Sequence, residues 1–205
     1  LVGDMSSAKY NICIVEPNGF KHSMAFLEIA EALGYSLRAL GHQAAVNFNA
    51  FAHDAINIIF GAHLMTPQDI ADLKPNTIIV NAEPLSAIDA PVRERILTWF
   101  ETGLEIWDYS RANIEILSQI GGRPAKYLQL GFQKELDRIT PAPRQDIDVL
   151  FYGSMNERRA AIIDGLRDRG LAVKRLFNVY GRDRDAWDRP FQNRLKHSFF
   201  RRANF

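Results

Sequence analysis

The sequence is poor in cysteine and contains no long apolar run. Its single cysteine, Cys13, has no partner for a disulfide, which is typical of a protein in a reducing compartment. We therefore predict a cytoplasmic location, and we expect the thiol to fill space in the core rather than to act as a nucleophile. No apolar stretch approaches the about 18 residues that a membrane-spanning helix requires, so no transmembrane segment is expected.

The chain also lacks a marked excess of charge of either sign. Lysine and arginine number 25 and aspartate and glutamate 24, which leaves a net charge of +1. This balance disfavours nucleic acid and anionic membranes as partners. Apart from His22, the histidines are His42, His53, His63 and His197, and they do not have the spacing of metal ligands. We expect no metal and no bound cofactor.

Apolar segments alternate with helical patterns through most of the sequence. The predicted strands are Tyr10–Glu16, Ala44–Phe48, Ala55–Phe60, Thr77–Asn81, Leu104–Trp107 and Tyr127–Leu130. This alternation is typical of a doubly wound parallel sheet with helices on both faces. We therefore predict a Rossmann-like α/β domain over residues 5–139.

Capping signals place the helices between these strands. The predicted helices are Ser23–Leu40 with Gly41 as its C-terminal cap, a helix begun by Thr66, Pro67 and Asp69, the helix Val92–Phe100, and a helix that Ser110 caps and that ends at Gly121 and Gly122. No internal repeat or low-complexity segment interrupts the pattern.

The pattern breaks at a polar segment with two prolines and then starts again. Residues 140–145 read as a linker, because Pro141 and Pro143 interrupt regular structure there. One strand–helix–strand unit follows, with Val149–Tyr152, Asn156–Arg169 and Val173–Val179. Two strands cannot bury both faces of a sheet. We therefore predict that residues 146–187 form an incomplete second Rossmann-like domain.

The segment Asp146–Arg159 reads as a phosphate-binding turn. An apolar strand, expected to be covered on both faces, ends at the Gly153-Ser154 turn, and a helix begins near Asn156. The start of a helix presents free N–H groups and the positive end of its dipole, and two arginines in the first turn suggest an anion. The alternative, a plain strand-to-helix turn with solvated arginines, stays open.

A series of longer motifs occurs along the chain in a specific order and spacing. They are NAEPL (Asn81–Leu85), WDYSRANIEIL (Trp107–Leu117), YLQLGF (Tyr127–Phe132), DIDVLFYGSMNERR (Asp146–Arg159) and VYGRDRDAW (Val179–Trp187). In this order they resemble bacterial glycosyltransferases with two Rossmann domains, the type called GT-B. The resemblance covers most of Tyr10–Trp187.

The resemblance implies a division of labour between two domains. The first would hold a glycan or other acceptor, the second a nucleotide-activated sugar, and reaction would take place in the cleft between them. It implies that the nucleotide diphosphate is held by Gly153, Ser154, Asn156, Arg158 and Arg159.

Polar residues that follow the predicted strands are the candidates in the first domain, because open α/β sheets bind ligands at the carboxyl ends of their strands. As catalytic groups, which would take a hydroxyl proton, we assign His22, Glu16 and Glu83; on the acceptor side we assign Asn18, Gly19 and Asp108. Structural roles stay open for three of these residues. His22 can be a solvated loop histidine, Glu83 can position its loop, and Asp108 can order the turn after its strand.

The residues after Trp187 depart from the family pattern. A helix, an apolar strand with an Asn-x-His element and a glutamate-bearing segment are expected there, and residues 188–205 contain none of them. A nucleotide sequence that encodes residues 188–205 can be written, with permitted codons, so that reading it one base later gives the missing apolar strand and Asn-Ile-His. We therefore expect a truncated donor domain, by a shift of frame, and little or no transferase activity in this chain.

The final residues nevertheless have a helical pattern. Trp187, Phe191, Leu195 and Phe199 recur at four-residue intervals among basic residues, which predicts a basic amphipathic helix. We expect it to pack on an exposed sheet or against a second copy of the chain, rather than on a membrane.

Two further functions stay open. A non-catalytic module that binds a nucleotide or sugar would fit the missing donor half. A receiver-like signalling domain is disfavoured, because Glu16-Pro17-Asn18 does not supply the paired acids that receivers carry after the first strand.

Overall fold

The computed structural model describes residues 7–18, 20–85, 90–121, 125–138, 143–144, 146–153 and 155–176. The chain divides into two compact units, unit 1 (Leu1–Asp137) and unit 2 (Arg138–Phe205). Several predicted features lie outside the described residues: Gly19, Ser154, most of the linker, the end of the last predicted strand, and the tail.

Unit 1 contains a parallel sheet of six strands in the order β2-β1-β3-β4-β5-β6. The strands are β1 (Lys9–Ile14), β2 (Gln43–Phe48), β3 (Ile56–Phe60), β4 (Thr77–Asn81), β5 (Glu105–Asp108) and β6 (Lys126–Tyr127). The prediction of a parallel α/β sheet is confirmed. The last strand is shorter than predicted, because after the Leu128 N–H donates to the Asp108 carbonyl, 2.9 Å away, the chain leaves the sheet.

Helices connect these strands and lie on both faces of the sheet. They are α1 (Leu27–Ala39), α2 (Pro67–Ala71), α3 (Ala90–Glu101) and α4 (Arg111–Gly121), with short 3-10 helices at Lys21–Phe26, Ala62–Leu64 and Lys134–Leu136. Within the described parts of the chain, none of the helices combines the length and apolarity needed to cross a bilayer.

The predicted capping signals of α1, α2 and α4 are present, with one exception. Thr66 and Asp69 cap α2 reciprocally, and Gly41 follows α1 in a left-handed conformation with φ +86°. Ser110 Oγ accepts the Asn113 N–H at the start of α4. Ser23, predicted to start the first helix, caps nothing: its buried hydroxyl donates to the Val15 carbonyl at 2.7 Å, and a 3-10 turn forms there before α1 begins.

Two apolar cores sandwich the sheet. One joins strand side chains such as Ile12 and Phe60 to α1, and the other joins Ile59 and Ile79 to the helices on the opposite face, including fully buried Trp99. Because the central strands β1, β3 and β4 are covered on both faces, they read as nearly continuous apolar runs. Cys13 is fully buried and burial raises the pKa of its thiol, so its predicted packing role is confirmed.

Unit 2 contains a two-stranded parallel sheet and one helix among its described residues. Strand β7 (Val149–Tyr152) pairs with β8 (Val173–Leu176), and α5 (Glu157–Arg167) connects them. The expectation that β7 is covered on both faces is wrong: Leu150 and Tyr152 are 43% and 66% exposed. Successive side chains alternate between the faces, so these two lie on the open one.

Gly61 provides a test of how tightly the end of β3 packs. Its φ is +81°, and a Cβ there would lie 3.2 Å from the Val15 carbonyl oxygen and 3.3 Å from the Phe26 ring. Gly41 has a similar φ of +86° with nothing within 4 Å. Both glycine-to-alanine changes force alanine into the left-handed region at a cost of about 1 kcal/mol. Gly61→Ala also places its Cβ in tight contact with the backbone of Val15. We therefore expect it to lose a further amount of about 1–3 kcal/mol in the free energy of unfolding, measured in urea. Equal losses for the two variants would contradict this packing.

Candidate functional site

A cavity of about 590 Å³ opens at the carboxyl edge of the sheet in unit 1. It is lined by Phe20, His22, Ala25, Phe26, Ile29, His63, Ala82, Glu83, Tyr109 and Leu130. These residues come from the segments that follow β1, β3, β4, β5 and β6, and from the start of α1. The strand order reverses between β1 and β3, and open α/β sheets bind ligands beside such a reversal.

A histidine and a glutamate face each other in this cavity. His63 Nε2 lies 3.6 Å from Glu83 Oε1, and the two side chains are 13% and 34% exposed. Burial lowers the pKa of His63; the Glu83 carboxylate opposes this effect and the charge of Arg95 reinforces it. His63 is therefore neutral near pH 7, and the Phe26 ring meets it edge-on.

A buried hydrogen-bond network holds the backbone of Glu83. Asn81, the last residue of β4, donates through Nδ2 to Asp108 Oδ2 at 2.6 Å and to the Glu83 carbonyl at 3.1 Å. Its Oδ1 accepts the Glu83 N–H at 3.2 Å. The side chain of Asn81 thus fixes both polar backbone atoms of the glutamate.

Asn113 on α4 completes the network from the other side. Its Nδ2 donates to Asp108 and to the Glu83 carbonyl, and its Oδ1 accepts the Leu85 N–H at 3.1 Å. Asp108 has no exposed surface, and its Oδ1 also accepts the Ser110 N–H at 2.7 Å. Burial raises the pKa of Asp108, against the lowering effect of these hydrogen bonds.

This network accounts for two sequence motifs. Asn81 belongs to NAEPL, and Asp108 and Asn113 belong to WDYSRANIEIL. Asp108 lies behind the cavity and does not line it. Its position supports the structural alternative, in which it orders the turn after β5.

The predicted candidates of unit 1 divide into two groups. His22 and Glu83 line the cavity, and the His22 ring lies 5.2 Å from that of Phe20. Glu16 and Asn18 do not line it. Asn49 hydrogen-bonds both the N–H and the carbonyl of Glu16, which ties that residue to the end of β2.

Sequence reasoning missed His63. It was considered only as a metal ligand, whereas it follows β3 at the same sheet edge as the chosen candidates. The strand-end rule that selected Glu83 would also have selected it. The described residues include no cluster of three or more His, Cys, Asp or Glu side chains that could hold a metal ion.

In unit 2, the predicted phosphate-binding turn has the local structure of a capped helix start. Gly153 has φ +126°, and Asn156 Oδ1 accepts the Arg159 N–H at 2.9 Å, so Asn156 is the N-cap of α5. The Arg159 guanidinium lies over the Phe151 ring, 5.9 Å from its centroid. Arg158 is exposed in the first turn.

In comparisons with protein families, with curated proteins and with solved structures, nothing matches this chain. What can be said about function therefore comes from the residues and their geometry.

Asp108→Asn tests the network. The Asp108 oxygens accept from Asn81, Ser110 and Asn113, so an amide would place an N–H₂ group against at least one donor. A buried donor left without an acceptor costs about 1–3 kcal/mol, and we expect that loss in the free energy of unfolding. The control is Asp137→Asn, at an exposed position, which we expect to change stability by less than about 0.5 kcal/mol. Equal stability of the two variants would show that the buried carboxylate is dispensable.

Proposed function

We propose that the protein is a glycosyltransferase of the GT-B kind. In this proposal unit 1 binds a hydroxyl-bearing acceptor, and unit 2 binds the diphosphate of a nucleotide-activated sugar. The observation that carries the proposal is the cavity at the carboxyl edge of the sheet, which brings together two residues that were selected from sequence as catalytic, His22 and Glu83.

The chemistry of the cavity lining supports an uncharged acceptor. Among the described residues that line it, five have apolar or aromatic side chains large enough to pack against a ligand, and none is lysine or arginine. Aromatic faces suit the apolar face of a sugar ring, and the polar atoms of His22, His63 and Glu83 suit its hydroxyls. A diphosphate would find no cation in this lining.

The start of α5 supports the placement of the diphosphate in unit 2. Its first backbone N–H groups carry the positive end of the helix dipole, and Arg158 adds a full charge in the first turn. Gly153 has the positive φ that favours glycine in the turn before α5, and among the described residues a Cβ there would meet nothing within 4 Å.

Ligand binding by the full chain tests the two halves of the proposal. Uncharged alkyl glycosides should raise its thermal stability through the cavity, and nucleoside diphosphates should raise it through the start of α5. A ligand at 100 times its Kd stabilises the folded state by about 2.7 kcal/mol. With a sugar nucleotide and a glycoside together, a chain restored in frame after Trp187 should release the nucleoside diphosphate, whereas this chain should release little or none.

Matched variants separate the two sites. Ala25→Trp fills the cavity and should abolish the response to glycosides, whereas Ala71→Trp, on exposed α2, should not. Arg158→Ala should weaken nucleotide binding by about 10- to 150-fold, since it removes a charge-assisted hydrogen bond, and Arg169→Ala beyond the other end of α5 should not.

The outcomes are distinct. Binding of both ligand classes, with transfer by the restored chain, supports the proposal. Binding by the restored chain without transfer would identify a nucleotide- or sugar-binding module instead, and absence of binding by either class would overturn both functions.

A further inference from the structure

We propose that Glu83 accepts the proton of the acceptor hydroxyl and that His63 is the residue that positions its carboxylate, so that the transfer inverts the configuration of the sugar. The inference rests on the proposed function. It adds to that function a named proton acceptor, a positioning residue that the sequence did not reveal, and a stereochemical outcome.

Accessibility assigns the two roles. The Glu83 side chain is 34% exposed and the His63 side chain 13%, so the carboxylate is the group of the pair that a ligand reaches more easily. Both line the cavity. Glu16, the other carboxylate selected from sequence, does not line it and cannot serve in this position.

The backbone of Glu83 is fixed on both sides. Its N–H donates to Asn81, and its carbonyl accepts from Asn81 and Asn113. The side chain of Glu83 can still rotate. Among the described residues, the titratable group that lies beside its carboxylate is His63. A general base gains most of its effect from such placement, because misplacement by about 1 Å is costly.

The surroundings of His63 keep it neutral and therefore suited to positioning. Three elements face it: the loop after β4 with Glu83, α3 with Arg95, and the 3-10 turn before α1 with the Phe26 ring. His22 lines the same cavity. A neutral imidazole N–H can orient a carboxylate and leave its negative charge available for a proton. An imidazolium would instead stabilise the charged carboxylate and make it a weaker base.

The distance fits a pair that tightens when substrate binds. The 3.6 Å between His63 Nε2 and Glu83 Oε1 exceeds a hydrogen bond, and catalytic contacts are often long before substrate is present. Closure of the pair would bring the carboxylate into one orientation.

The proposed step balances with a sugar nucleotide as the second reactant. Glu83 takes the proton of the acceptor hydroxyl, and the electron pair left on that oxygen forms the new bond to the anomeric carbon. The bond from that carbon to the phosphate oxygen breaks, and its electron pair leaves with the nucleoside diphosphate. Attack opposite the leaving group inverts the anomeric centre, and Glu83 then returns its proton to solvent.

Nuclear magnetic resonance of the ligand-free full chain tests the pair independently of the reaction. We expect the His63 imidazole to titrate below the ordinary range of histidine, because burial lowers its pKa. In Glu83→Gln the His63 titration should move to lower pH, because the carboxylate that favours the imidazolium is gone. A His63 titration that is unchanged in Glu83→Gln would overturn the positioning role.

Transfer kinetics of the chain restored in frame after Trp187 then test the roles. Glu83→Gln should lower kcat by about 10²- to 10⁴-fold with little change in KM. His63→Gln keeps an N–H that reaches the carboxylate but cannot titrate, so it should retain most of kcat and lose one inflection from the acid side of the pH profile. His63→Leu should lower kcat by about tenfold, which is the equivalent of one lost hydrogen bond. His53→Gln, an exposed control on the loop before β3, should match the wild-type chain.

The two proposals fail in different ways. A His63 titration that depends on Glu83, with no transfer from any sugar nucleotide by the restored chain, would overturn the proposed function, and with it the proton transfer, while the His63–Glu83 pair would stand. Transfer that survives Glu83→Gln, or a product with retained configuration, would overturn this inference and leave the proposed function in place.

Discussion

The candidate site depends on one buried carboxylate and the donors that surround it. Asp108 has no exposed surface, and a carboxylate in such a place is costly unless donors satisfy its oxygens. Asn81, Ser110 and Asn113 supply them. Because Asn81 ends β4 and Asn113 lies on α4, the same hydrogen bonds tie two strands and a helix together and hold the loop that carries Glu83. The loop that carries Glu83 into the cavity lining is therefore positioned by polar side chains that do not themselves line the cavity.

Much of the fold of unit 1 could be predicted because its signals are local. The apolar run of β3, the Thr66–Asp69 capping box and the glycine after α1 each act over a few residues, and each is present. The prediction for the first turn of the helix after β1 is wrong because the Ser23 hydroxyl donates to the carbonyl of Val15, just after β1, and not to an N–H of its own helix. In unit 2, apolar composition indicated a strand covered on both faces, but coverage depends on which elements pack there, and Leu150 is exposed.

The site was predicted in part, for the same physical reason. The rule that ligands bind at strand ends selected His22 and Glu83, and both line the cavity. It selected Glu16 as well, but Glu16 does not line the cavity, and its backbone is hydrogen-bonded to Asn49, a residue distant in sequence. His63 was overlooked because an isolated histidine gives no spacing signal. Its significance comes from Glu83, a residue distant in sequence, and from the burial that keeps it neutral.

Amide hydrogen exchange in the full chain, compared with Asn113→Ala, tests most directly whether the buried network holds the Glu83 loop. The N–H groups of Glu83 and Leu85 donate to Asn81 and Asn113, so both should be protected in the wild-type chain. In the variant the Leu85 amide should exchange at least about tenfold faster, the equivalent of one lost hydrogen bond, and the Glu83 amide should follow it. The Asp69 amide in the α2 capping box should be unchanged. Unprotected wild-type amides, or protection that survives the substitution, would contradict the claim that these side chains position the Glu83 loop.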